Sequence, residues 1–85
     1  MHVLTQAVLH DSDEVRRVAA QSLGLVGGRA AITPLSMALH DSSTEVARAA
    51  ANGLRRCGPG GQPVLEDSSA PVAREVLALA ALGGS

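Results

Sequence analysis

Along residues 13–26, DEVRRVAAQSLGLV, apolar side chains return every three or four positions. Advancing about 100° per residue from Val15 places Val15, Val18, Ala19, Ser22, Leu23 and Val26 on one side of a helix. Arg16, Arg17, Ala20, Gln21 and Gly24 fall on the other. Residues 44–57 draw the same wheel, with Val46, Ala49, Ala50, Gly53, Leu54 and Cys57 inward and Arg48, Ala51, Asn52 and Arg55 outward. No segment alternates apolar and polar positions with the period of two that a half-buried strand needs. The pattern predicts helices alone, at about 3–10, 13–26, 30–40, 44–57, 62–66 and 70–82.

Boundary residues agree with those limits. Ser42 and Glu45 have capping-box spacing, as do Asp11 and Glu14. Thr33 followed by Pro34 reads as an N-cap with proline in the first turn. The alternative at that point is a helix that starts near Arg29 and bends at Pro34. Gly27-Gly28 and Gly58-Pro59-Gly60-Gly61 end the second helices. Pro71 falls in the first turn of the last helix, where its missing N–H costs nothing.

The helices come in repeated pairs. Residues 9–23 read LHDSDEVRRVAAQSL, residues 39–54 LHDSSTEVARAAANGL, and residues 65–79 LEDSSAPVAREVLAL. Leu9, Leu39 and Leu65 align, as do Asp11, Asp41 and Asp67, and Val15, Val46 and Val72. The first offset is 30 or 31 residues and the second 26, with the missing residues before Leu65. Losing about four residues removes roughly one helical turn and leaves the apolar face pointing the same way. A single stack of three units is expected, with boundaries at about 1–27, 28–60 and 61–85.

This pattern, L-x-D-x-D/S-x-E-V-R, then AA-x-x-LG, then a glycine turn, resembles the HEAT repeat. Within that family it is similar to the bacterial HEAT-like type named after phycobilin lyases. Leu9, Asp11, Glu14, Val15, Arg16, Ala19, Ala20, Leu23 and Gly24 carry the match in the first unit. Leu39, Asp41, Ser43, Glu45, Val46, Ala50 and Leu54 carry it in the second, and Leu65, Asp67, Ser69 and Val72 in the third. The resemblance implies an all-α fold, a right-handed α-solenoid of three helical pairs with the third shortened. It also implies that the second helix of each pair lines the concave side, and that the repeat's Asp and the Arg after its Val tie neighbouring units together. Arg16 fits that Arg position, whereas Ala47 and Ala73 replace it in the next units, with Arg48 and Arg74 one place later.

Composition narrows the chemistry. The 85 residues include no Phe, Tyr or Trp, so there is no aromatic cage and no base-stacking platform. All seven basic side chains are arginine, which removes Schiff-base and phosphate-loop lysines. A net charge of −1 speaks against a polyanion-binding surface over the whole molecule. One cysteine excludes an internal disulfide and a cysteine-based zinc site. The first residues lack a basic n-region and a cleavable apolar core, and the longest apolar run, Val76 to Leu82, is far short of a membrane span. A cytoplasmic protein without a cofactor is expected.

Two surfaces stand out as candidate sites. Arg17, Arg48 and Arg74 occupy one wheel position in successive second helices, with Gln21, Asn52 and Arg55 beside them. Stacked units would make these a polar, partly basic stripe able to dock an acidic segment, because the planar guanidinium pairs bidentately with carboxylates. The bland alternative is a solvated helix face. The second surface is the last helix. Leu77, Ala78, Ala81 and Leu82 make it apolar all round, where a terminal repeat ordinarily carries a polar outer face. The first helix likewise begins partway along relative to the second unit. Both features point to a piece of a longer solenoid or to ends covered by another subunit, with self-association through the last helix.

Other constellations carry less. His10-Asp11 and His40-Asp41 recur at equivalent positions, but they close the first helices, and stacked units about 10 Å apart are too far for one shared ion. Cys57 falls in the inward stripe as a structural thiol. No nucleophile, base and orienting group assemble from three histidines. The function expected is a non-catalytic protein–protein interaction scaffold. The alternatives are a subunit or fragment of a phycobilin lyase-like enzyme, disfavoured by the lack of Tyr and Trp to hold a tetrapyrrole, and a helical-repeat nucleic-acid module, disfavoured by charge and composition.

Overall fold

The computed structural model describes residues 11–83. The helix expected at about 3–10, and His10 with it, lie outside the described residues. Within them the chain forms α1 (Asp13–Val26), α2 (Arg29–Ala38), α3 (Thr44–Arg56), a 3₁₀ turn (Gly58–Gly60), α4 (Gln62–Asp67) and α5 (Pro71–Gly83). No strand occurs among the described residues. The architecture is an all-α solenoid, with α2 paired to α3 and α4 to α5. The second helices α1, α3 and α5 follow one another across the stack, and α1 against α3 is the most extensive contact.

The caps sit one residue later than their spacing suggests. Ser12 Oγ accepts from the Val15 amide and Ser43 Oγ from the Val46 amide, each at 3.4 Å. Glu45 therefore falls at the second helical position, where it faces the positive end of the helix dipole but does not close a capping box. Asp41 shapes the turn before α3 by accepting from the Ser43 amide at 2.9 Å. Of the two starts open for α2, the structure has the earlier one: the helix runs from Arg29 through Pro34, which is buried inside it. Gly27 and Gly28, at φ of 70° and 79°, turn the chain out of α1 in a region side chains rarely adopt.

The core is a row of aliphatic side chains, one from each described helix. Leu23, Leu35, Leu54 and Leu65 are fully buried in α1 to α4, and Val76 takes the place in α5. Alanines fill the space between them, with Ala20, Ala31, Ala50, Ala51 and Ala73 wholly inaccessible. The thin layers allow close approach, closest where α1 crosses α3. A Cβ added to Gly24 would lie 2.6 Å from the Gly53 Cα, so both positions need hydrogen for a side chain.

Here the helical wheel requires correction. Ala20, Gly24 and Ala51, expected outward, are buried, whereas Val15, Val18 and Val26, expected inward, are 38%, 49% and 59% exposed. A hydrophobic wheel finds one apolar face. A helix within a stack has two covered flanks, one toward each neighbouring unit, and small residues serve there whatever their hydropathy. Between its neighbours, α3 buries Ala49 and Gly53 on one flank and Ala47 and Ala51 on the other.

Candidate functional site

Two polar joints lock the second helices at their N-terminal ends. The first is bidentate: Arg16 Nε donates to Asp41 Oδ2 at 2.7 Å, and a terminal guanidinium nitrogen donates to Oδ1 at 3.1 Å. Arg16 also donates to the Asp11 carbonyl at 2.9 Å. Burial pushes the Asp41 carboxyl up, but the Arg16 hydrogen bond, the Ser43 amide and the guanidinium charge outweigh it and hold the group below the ordinary carboxylate value. Arg16, bonded to that carboxylate, is held above its own ordinary value. The unit-to-unit tie expected of Arg16 is therefore present. The second joint uses the shifted arginine: Arg48 donates to Glu75 of α5 at 2.9 Å, both side chains about half exposed. A pair so open to water contributes only about 0–1 kcal/mol.

The six polar side chains expected as one stripe occupy different settings. Gln21, Asn52 and Arg55 come together on an open groove of about 480 Å³ between the C-terminal halves of α1 and α3. Ala49 and Gly53 form its floor, and Leu25 and Arg56 complete its rim. The groove exists because of the Gly24–Gly53 crossing: two small residues bring the backbones together and leave a trough above them. Arg17 lies in a separate cleft of about 270 Å³ with Asp13, Glu14, Ser43 and Glu45. Arg48 is engaged with Glu75, and Arg74 is exposed on α5. The second-helix layer is thus acidic around the N-terminal ends of α1 and α3 and basic at the C-terminal end of α3.

Among the described residues that line the groove, none is a carboxylate facing the two arginines. Arg55 and Arg56 are exposed in the last turn of α3, and neither forms an ion pair among the described residues. Leu25, 73% exposed, supplies an apolar wall. The arrangement can bind anions and aliphatic groups side by side. Sequence reasoning left out Leu25 and Arg56. Their signal was there, in an aliphatic residue at the edge of one wheel's apolar side, between Val18 and Gln21, and an arginine doublet closing the other.

The remaining candidates have little chemistry. Asp41 is committed to Arg16 and Ser43, so the His40-Asp41 pair offers no open carboxylate. Among the described residues, no three His, Cys, Asp or Glu side chains converge as metal ligands. Cys57 is half-buried, and burial pushes its thiol pKa up, which weakens it as a nucleophile. On α5, Leu77 is half-buried while Ala78, Ala81 and Leu82 are exposed, Leu82 by 83%. No described helix is long and apolar enough to cross a membrane.

The repeat register, the paired helices and the bidentate tie between units converge on one family. A family model described as HEAT repeats matches residues 1–83. The chain belongs to the HEAT-repeat family. None of the curated proteins matches it. HEAT repeats mediate protein–protein interaction as a family.

Proposed function

We propose that this chain is a non-catalytic protein-interaction scaffold whose α1–α3 groove receives an acidic segment of another protein. One observation carries the reading: Arg55 and Arg56 rim an open groove whose described lining residues include no carboxylate. An incoming Asp or Glu meets the fork-shaped donors of Arg55 and Arg56, with the Gln21 and Asn52 amides beside them. A neighbouring aliphatic residue packs on Leu25. Charge-assisted hydrogen bonds of this kind are about twice as strong as neutral ones. The acidic cleft around Arg17 lies further along the same layer and orients a segment of mixed charge. The last helix, through Leu77, Ala78, Ala81 and Leu82, serves as a separate association surface.

The test is fluorescence polarisation with a short labelled peptide of alternating glutamate and leucine. Saturable binding is expected, weakened about tenfold or more in an Arg55→Glu, Arg56→Glu variant that keeps the wild-type melting curve. Equal affinity for a lysine–leucine peptide, or an unchanged affinity in the variant, would refute the acidic-segment reading. Tighter binding of a single-stranded oligonucleotide would favour the nucleic-acid alternative instead.

A further inference from the structure

The repeat register relates surfaces at the two ends of the described stack. Val15, Val46 and Val72 are equivalent, so each position of α1 has a counterpart 31 residues on in α3 and a further 26 on in α5. In the internal joint, Gly24 of α1 meets Gly53 of α3, with Ala20 buried one turn before Gly24 and Ala49 buried one turn before Gly53. The counterparts of Ala20 and Gly24 on α5 are Leu77 and Ala81. The counterparts of Ala49 and Gly53 on α1 are Val18 and Ser22. Both sets stand open where the internal ones are covered. Ala20 is wholly inaccessible, yet Leu77 is only half-buried and Ala81 exposed. Ala49 is 9% exposed, yet Val18 is 49% exposed, with Leu25 beside it on the same flank.

We infer that the Leu77–Ala81 face of α5 docks on the Val18–Ser22 flank of α1 in a second copy of the chain, continuing the register of the α1–α3 joint from one molecule to the next. The inference rests on reading the last helix as an association surface, and it supplies the surface that receives it. Two features make the faces compatible. Neither carries a charged side chain at the contacting positions, so no charge is desolvated. The partners are the same type of helix in the same relation as a joint the chain already makes internally. Two features make the contact weaker than its template. Leu77, Ala81, Val18 and Ser22 are bulkier than the residues they replace, so the helices stand further apart. Ala73 takes the place of Arg16, so the joint lacks the bidentate tie to an Asp.

The contact joins two different faces, so it does not close on itself. Sedimentation equilibrium up to about 1 mM is expected to show an average mass that rises past the dimer without a plateau. Val18→Arg blocks one face and Ala81→Arg the other. Both side chains are accessible, and α3 already carries Arg55 at the position of Ala81, so both variants are expected to keep the wild-type circular dichroism and melting curve. Each alone is expected to stay monomeric over the range. Mixed in equal amounts they are expected to form a dimer and nothing larger, because each contributes the one intact face the other lacks. Leu25→Arg, at a side chain 73% exposed, provides a second block of the α1 flank should Val18→Arg unfold the chain. A wild-type monomer at every concentration, a closed dimer, or a mixture that remains monomeric overturns the inference. Association lost in Ala81→Arg but unchanged in both α1-flank variants overturns the docking on α1 while leaving the last helix as an association surface. Association unchanged in all three variants removes that reading as well.

Discussion

Asp41 shows how much one side chain holds in this molecule. Its carboxylate accepts from Arg16 of the preceding unit and from the Ser43 amide that opens α3. The same group therefore joins two repeats and shapes the start of a helix. Its folded pKa is depressed below the ordinary value of 3.8. The stabilisation linked to that ionisation is present above the ordinary value and is lost as pH falls through the depressed one. Urea unfolding between neutral pH and about pH 3 is expected to show a stability loss that Asp41→Asn reduces, with the variant already less stable at neutral pH. An identical pH slope in wild type and variant would mean that the carboxylate is not the group being protonated. The aspartate was plain in the repeat, and so was its role between units. That it also bonds Ser43, and so moves the cap one residue along, required the backbone course of the turn.

At the scale of elements, the α1–α3 crossing is governed by size. Gly24→Ala sets two effects against each other. Alanine raises helix propensity by about 1 kcal/mol, while a Cβ 2.6 Å from the Gly53 Cα must push two backbones apart. Overpacking of that kind costs about 1–3 kcal/mol, so the sum is expected to be destabilising, and more so for Gly24→Val. Thermal denaturation of the two variants checks the order. The comparison with α3 and α5 supports the mechanism. There the counterparts of Gly24 and Gly53 are Arg55 and Leu79, both exposed. Those side chains cannot interdigitate closely, and α5 makes a smaller contact with α3 than α1 does.

Across the whole molecule this produces a gradient. α3 is covered on both flanks, and seven of its residues are buried. α5 is held near its N-terminus by Val72, Ala73, Val76 and the open Arg48–Glu75 pair, and beyond Leu77 its described side chains are exposed. Amide exchange is expected to be slowest in α3 and fastest among the described helices in the last turns of α5, since local opening follows the density of buried contacts. Uniform protection along α5 in dilute solution would contradict that gradient. Concentration-dependent protection confined to α5 and the Val18 flank would instead report the stacking of copies. The basic groove lies apart from the α5 face but shares Leu25 with the α1 flank that would receive it, so partner binding and stacking meet at that residue.

Helical spacing, capping residues and a thrice-repeated Leu-Asp-Val register were enough to determine the described helices to within a residue or two, their pairing and the family. They depend on local preference and on repetition, both of which a linear sequence records. What each helix buries was decided by tertiary structure. Ala20, Gly24 and Ala51 are small enough to lie on either side of a wheel, and only the approach of a second backbone makes them interior. The same approach opened the groove, gathered Gln21, Asn52 and Arg55 with Leu25 and Arg56, and set Arg17 and Arg48 among acidic neighbours. A hydrophobic pattern can tell polar from apolar, but a stack of thin helices is organised by which side chains are small enough to be crossed.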